Sequence, residues 1–269
     1  ATTEIYTVSL HDALPICDSL GSEMPIVRDH YDMPFIPGSS FKGVVRSFCE
    51  SLLRSTDPDD KSICCDQTIK NMCVTNTEKQ EFWKKKNSNE FKDHEAWYRY
   101  LDNKLCLACQ LFGSTWKQGK IHFLDMKVES KTWNETMLDL RDSTAIDRES
   151  GTAKDKSKYD FEIIPSGVQF HFSTAGSNME KWETGLILFA IDCFNNDFLT
   201  LGGLKSKGAG HISLKLNKIS TLNPYDSKAP LGETITEKTK IIEFYQEMKK
   251  ALEEKLKVLN ENKKGGSNA

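Results

Sequence analysis

An α+β fold with a ferredoxin-like core sheet is predicted by three features of the sequence. Short strand-like segments flank two helical stretches, each helical stretch carries an apolar face, and a polar, cysteine-rich insertion follows the first helix. The 269 residues suffice for one large domain with tails.

Ser39 and Ser40 are good N-cap residues. Phe41, Val44, Val45, Phe48 and Leu52 then recur at helical spacing, which predicts a helix over 40–54 with one buried stripe. Lys42 and Arg46 lie four apart, on a face away from that stripe. Asp57-Pro58-Asp59-Asp60 stops the helix, and residues 57–110 read as a polar insertion without an evident core of its own. Strands are predicted over 119–128 and 159–173, the second doubled back as a hairpin at Pro165-Ser166-Gly167. The stretch 141–158 between them has no core pattern. A helix over 179–194, a glycine-rich loop and a strand over 211–216 complete the order, a ferredoxin-like (RRM-like) arrangement. Residues 220–269 read as a linker and a charged helix with Ile241, Ile242, Tyr245, Met248, Leu252, Leu256 and Leu259 on one side, fraying at its end.

A net charge of -3 gives no global basic field, so any contact with nucleic acid has to come from local clusters. The longest apolar run, from Gly185 to Ile191, is far too short to span a bilayer. Eight cysteines without a secretory signal, several at metal-like spacing, point to a reducing, cytoplasmic compartment instead of a disulfide scaffold.

Two glycine-rich motifs carry the chemistry. The first is Ile36-Pro37-Gly38-Ser39-Ser40-Phe41-Lys42-Gly43-Val44-Val45-Arg46, and the second is Gly202-Gly203-Leu204-Lys205-Ser206-Lys207-Gly208-Ala209-Gly210. Each joins tight-turn residues, which allow close backbone approach, to lysine or arginine at a helix start or loop, a pattern suited to phosphate. Cys106 and Cys109 form a CxxC pair, half of a tetrahedral zinc site. Cys64, Cys65 and Cys73 are the available partners, and the expected structural zinc is held by Cys106, Cys109, Cys73 and one of Cys64 or Cys65. Cys17, Cys49 and Cys193 are read as unligated, and His122 and His211 as structural.

Residues 1–16 resemble the conceptual translation of a common short-read sequencing adapter, with Val8 where the adapter would encode leucine. They are read as a foreign segment replacing a first core strand, so that the natural start is truncated; the alternative is a genuine strand in which Ile5, Thr7 and Ser9 alternate with Tyr6, Val8 and Leu10. Without Glu4 and Asp12 the net charge becomes -1, since the segment holds no lysine or arginine.

The run Met24-Pro25-Ile26-Val27-Arg28-Asp29, the first glycine motif, Cys106-Leu107-Ala108-Cys109-Gln110-Leu111-Phe112-Gly113-Ser114, the segment Ala145-Ile146-Asp147-Arg148-Glu149-Ser150-Gly151-Thr152-Ala153-Lys154, and the second glycine motif occur in an order that resembles the RAMP superfamily, in particular the backbone subunits of type III CRISPR effectors. The resemblance covers residues 17 to about 216, within an RNA-binding domain expected over 17–219. It implies that Arg28, Ser39, Ser40, Lys42, Arg46, Gly203, Lys205 and Lys207 contact guide RNA, and that residues 141–173, with Arg148, form a β-hairpin thumb displacing a nucleotide of the guide–target duplex. The implied partners are guide RNA, target RNA, other type III subunits and copies of related RAMP proteins, with no membrane. Target-cleaving relatives carry an aspartate where this chain has Glu23, so Glu23 is the catalytic candidate, served by a divalent metal such as magnesium; Asp18 is the second choice. Two alternatives stand beside this reading: a RAMP-type guide-processing endoribonuclease with a dedicated histidine, and a non-catalytic RNA-binding module.

Overall fold

The computed structural model describes residues 2–5, 22–65, 72–86, 94–154, 157–221 and 234–266. In chain order the elements are β1 (Thr2–Ile5), β2 (Phe35–Ile36), α1 (Gly38–Thr56), α2 (Asn76–Lys86), α3 (His94–Lys104), α4 (Leu107–Phe112), β3 (Ile121–Phe123), β4 (Met126–Lys127), β5 (Asp139–Ser143), β6 (Tyr159–Ile163), β7 (Val168–His171), β8 (Thr174–Gly176), α5 (Lys181–Asn195), β9 (Ile212–Lys215), β10 (Ile219–Ser220), β11 (Thr234–Ile235) and α6 (Lys238–Gly266). The content is mixed α and β, with small sheets. Two compact units emerge, residues 1–44, 123–173 and 190–243 forming the first and residues 45–122, 174–189 and 244–269 the second.

In the first unit β1 is the middle strand of the order β7-β1-β9, antiparallel to both neighbours. Thr2 faces His171 on one side and Lys215 on the other, and Ile5 faces Val168 and Ile212. The segment read as foreign therefore supplies a strand backbone; its remainder, with Cys17 and Asp18, lies outside the described residues. Val128 bridges Phe170, which brings the end of the β4 segment beside β7. In the same unit fully buried Phe41 of α1 meets Phe123, Phe172 and Phe194 with ring centroids 5.3, 5.3 and 5.1 Å away. Burying a side chain of this size contributes about 2–3 kcal/mol. Asn195, closing α5, exchanges two hydrogen bonds with the Leu214 backbone and so locks the helix end to β9.

Helix α1 starts earlier than the serines predict. The amides of Ser40 and Phe41 both donate to the Pro37 carbonyl, so Ser39 and Ser40 lie inside the first turn. The Gly38 amide donates to Asp125 Oδ1 at 2.7 Å, and a Cβ on Gly38 would sit 2.3 Å from the Phe123 carbonyl oxygen. Close packing demands this glycine.

Two strand expectations are corrected. The segments flanking Pro165-Ser166-Gly167 do not pair with each other: β6 pairs with β5, and β7 joins β1. Ile163 and Ile164 are both buried in succession, so the chain abandons strand alternation there and passes to another sheet. The hairpin instead spans β5 and β6, from Asp139↔Ile163 to Ser143↔Tyr159, and it encloses the loop bearing Arg148. The strand expected over 119–128 is two short pieces separated at exposed Leu124 and Asp125.

The second unit overturns the idea of an insertion without a core. Ile63, Val74, Trp97, Leu101, Leu105, Leu111 and Phe112 are buried around α3 and α4. A reciprocal cap begins α2: Thr75 Oγ1 accepts from the Glu78 amide while Glu78 Oε2 accepts from the Thr75 amide. β3 pairs with β8, and Phe48 packs on Phe189. A Cβ on Gly185 of α5 would meet the Met248 carbonyl of α6 at 2.2 Å, so Met248 and Leu252 are buried rather than part of a loose tail. Among the described residues no helix is long and apolar enough to cross a membrane.

Candidate nucleic-acid interface and metal centre

Strand β6 is where Glu23, Arg28 and Lys207 meet. Alternation puts Tyr159 and Phe161 on one face and Asp160 and Glu162 on the other. Met24 bridges Phe161 in parallel, and the Glu23 amide donates to Asp160 Oδ1 at 2.9 Å. Glu23 itself is exposed. Two residues on, Glu162 Oε2 accepts from the Ile26 amide at 3.0 Å and lies 3.6 Å from the Arg28 guanidinium, which also pairs with Asp32 at 3.2 Å. Loop 22–28 is thereby fastened to β6 at both ends.

The second glycine loop reaches the same strand. Leu204 adopts the left-handed conformation at φ 54°, and Gly208 and Gly210 have φ 83° and 92°. The Leu201 amide closes the loop on the Gly210 carbonyl, whose Cα can carry no side chain because a Cβ would approach Leu201 O at 2.4 Å. Lys205 is exposed, and Lys207 extends to Ser143 Oγ at 3.1 Å and to the Tyr159 hydroxyl, with its ammonium 4.8 Å from the Tyr159 ring centre. The Lys207 hydrogen bond, with help from Ser143, lowers the Tyr159 phenol pKa. Gly203 lies in this loop, half-buried.

Arg148 and Lys154 are exposed in the loop between β5 and β6. Asp147 shapes that loop by accepting from the Glu149 and Ser150 amides at 2.9 and 3.0 Å. Lys156 lies outside the described residues. Ser39 is exposed, and Ser40 and Lys42 are half-buried on the first turns of α1.

In the second unit the cysteines converge. Among the described residues, the sulfurs of Cys65, Cys73, Cys106 and Cys109 all lie within 4.8 Å of one another. Cys106 caps α4, its sulfur accepting from the Cys109 amide, and the Cys65 amide donates to the same sulfur at 3.4 Å. The Cys106 amide in turn donates to Cys73 Sγ at 3.1 Å, which carries a ligand 33 positions upstream into the cluster. Zinc–sulfur bonds of about 2.3 Å place tetrahedral sulfurs about 3.8 Å apart. The 3.6 Å between Cys65 and Cys109 fits that edge. Four thiols among apolar neighbours, fed by backbone N–H donors, suit a closed structural zinc site.

Geometry separates the candidates. Mutual hydrogen bonds lower the Cys106 thiol pKa and raise those of Cys73 and Cys109. Burial, with the nearby Glu50 carboxylate, pushes the Cys64 thiol up to about 11. Cys64 stands outside the cluster, its sulfur accepting from Arg54 at 3.6 Å and donating to the Cys65 carbonyl at 3.7 Å. Of the two sequence alternatives, Cys65 is therefore the one that joins Cys73, Cys106 and Cys109. Cys49 and Cys193 are buried and lie outside this group.

Sequence reasoning missed two participants. Asp160 and Glu162 organise the Glu23 and Arg28 loop; their alternation with Tyr159 and Phe161 is the signal that could have identified them. Arg46 is also placed unexpectedly. Its guanidinium contacts Glu50 Oε1 at 2.7 Å, the Gly113 carbonyl at 3.1 Å and Cys109 Sγ at 3.8 Å.

A search of the curated proteins found no match. A family model described as the RAMP superfamily matches residues 19–213, a span that takes in both glycine motifs, the four clustered cysteines and β6. With well over half its length accounted for by that one match, the chain belongs to the RAMP superfamily.

Proposed function

We propose that this chain is a guide-RNA-binding backbone subunit of a type III CRISPR effector ribonucleoprotein, acting in the cytoplasm in antiviral defence. RAMP membership carries a CRISPR-associated, RNA-binding function in multi-subunit complexes. The observation that supports the finer reading is the meeting of loop 22–28 and loop 202–210 on β6, at the root of the hairpin that bears Arg148. A phosphate-binding loop and a candidate catalytic loop thereby share one strand with the proposed thumb. The order β7-β1-β9 with Val128 beside Phe170, interrupted by α1 and α5, supports a ferredoxin-like core.

In this reading Arg28, Ser39, Ser40, Lys42, Gly203 and Lys205 contact guide-RNA phosphates, Lys207 holds its loop against the hairpin, and Arg148 rides on the thumb against the duplex. Zinc, held by Cys65, Cys73, Cys106 and Cys109, staples the insertion and supplies folding energy. Glu23, exposed beside Asp160, faces the target strand, where a divalent metal such as magnesium would assist attack by the 2′-hydroxyl. The extra methylene relative to aspartate makes cleavage slow or absent. Assembled with other type III subunits, matched target RNA and magnesium, the natural protein and Glu23→Ala bind target alike, and Glu23→Asp gains cleavage. Strong cleavage persisting in Glu23→Ala would remove Glu23 from the reaction.

One observation favours the guide-processing alternative. His211 Nδ1 lies 3.0 Å from Asp197 Oδ1, a pairing that orients an imidazole as a general base. Processing of precursor RNA by the isolated chain, abolished in His211→Ala, would select that reading.

A further inference from the structure

Arg46 stands on α1 with its side chain about one-fifth exposed, and each nitrogen of its guanidinium is engaged by the protein. Nε donates to Glu50 one turn on, one terminal nitrogen donates to the Gly113 carbonyl, and the other points at Cys109 Sγ. Gly113 closes α4 with φ 94°, its amide donating to the Cys109 carbonyl, so two of the three contacts fall on the short segment that presents Cys109. A Cβ on Gly113 would meet the Gly119 amide nitrogen at 2.7 Å, so this turn accepts glycine alone. Burial works against the arginine charge, but hydrogen bonding and attraction to Glu50 outweigh it, and the pKa is raised. The guanidinium is a permanent cation beside a cluster that becomes anionic when four thiolates bind a dication.

We infer that Arg46 is a positioning residue for the cysteine centre, orienting Cys109 and offsetting the negative charge of the metal–thiolate group, instead of a phosphate ligand. This rests on the metal reading above. The geometry carries it: a planar fork already shared among a carboxylate, a carbonyl and a cysteine sulfur has no edge left to grip a phosphate bidentately. Lysine cannot substitute, because a single ammonium cannot span the three acceptors.

The test uses the full chain loaded with zinc, and separately with cobalt(II) as a spectroscopic probe, comparing the natural protein with Arg46→Lys, Arg46→Gln and the exposed-site control Ser47→Ala. Zinc affinity by chelator competition falls about 10–100-fold in both Arg46 variants, as for loss of a hydrogen bond to a metal ligand. The thiolate-to-cobalt absorption band shifts in both and stays put in Ser47→Ala. Against a single-stranded RNA oligonucleotide, the salt slope of affinity in Arg46→Gln equals that of the natural protein. Arg46→Lys, which keeps charge and helix propensity, decides the matter if Arg46→Gln does not fold. Unchanged affinity and spectrum in a folded variant overturn the assignment, as does a smaller salt slope with metal binding intact. A natural protein that takes up neither metal overturns the metal reading itself, and this inference with it.

Discussion

The Lys120 ammonium lies 2.7 and 2.9 Å from the two carboxylate oxygens of Glu183, whose side chain is 2% exposed. Glu183 sits in the first turn of α5 and also accepts the Glu180 amide at 2.7 Å, so the pair ties the strand region before β3 to a helix start. Removing one partner strands a buried charge. Lys120→Met costs about 3 kcal/mol or somewhat more in urea unfolding, while the double variant Lys120→Met/Glu183→Leu recovers most of the loss. Equal destabilisation in the single and double variants would refute the coupling.

Gly38→Ala is expected to destabilise the protein by about 1–3 kcal/mol, because the new methyl group collides with the Phe123 carbonyl, a backbone atom that cannot rotate away. Gly43→Ala, where a Cβ meets nothing within 4 Å, is neutral or mildly stabilising through helix propensity. Thermal unfolding of the two variants separates them: a shared drop in midpoint would contradict the packing argument.

Zinc content discriminates among the cysteines. Purified under reducing, chelator-free conditions, the natural protein and Cys64→Ser carry about one equivalent, and Cys65→Ser, Cys73→Ser, Cys106→Ser and Cys109→Ser each fall below about half. Elemental analysis reads this directly. Loss of zinc in Cys64→Ser with retention in Cys65→Ser would exchange their roles.

Lys207→Ala should loosen the second glycine loop from the hairpin and raise the Tyr159 pKa back toward the ordinary phenol value, since the Lys207 hydrogen bond is the main cause of its lowering. Difference ultraviolet titration against Tyr159→Phe identifies the phenol concerned. The same variant weakens RNA binding by less than Lys205→Ala, whose ammonium is exposed, and Lys205→Ala reduces the salt slope by about one phosphate contact.

The spacing of apolar residues made α1 legible, because Phe41 and Val45 lie on its buried face; that stripe runs on through Cys49 and Leu53, with Phe48 and Leu52 at its margin. α6 was readable in the same way through Ile241, Met248 and Leu252, although Ile242 is exposed. The insertion was not, since α2 is polar nearly all round and its start is marked only by the Thr75-x-x-Glu78 cap. The CxxC announced half of the cysteine centre; the choice between adjacent Cys64 and Cys65 depends on which way each side chain leaves the backbone, which spacing does not encode. Pairing of β5 with β6 was hidden for a related reason: Leu140 is exposed, so the strand has no apolar alternation to reveal it.

Four residues, Thr2–Ile5, complete two ladders at once. Without them β7 and β9 would each show a row of unmatched amides and carbonyls toward the vacated lane, cohesive borders that recruit an extended segment from the same chain or another. Such a lane selects its occupant by main-chain geometry and tolerates wide variation in spelling. That tolerance is how a segment that reads as an adapter translation can serve as the keel of the sheet.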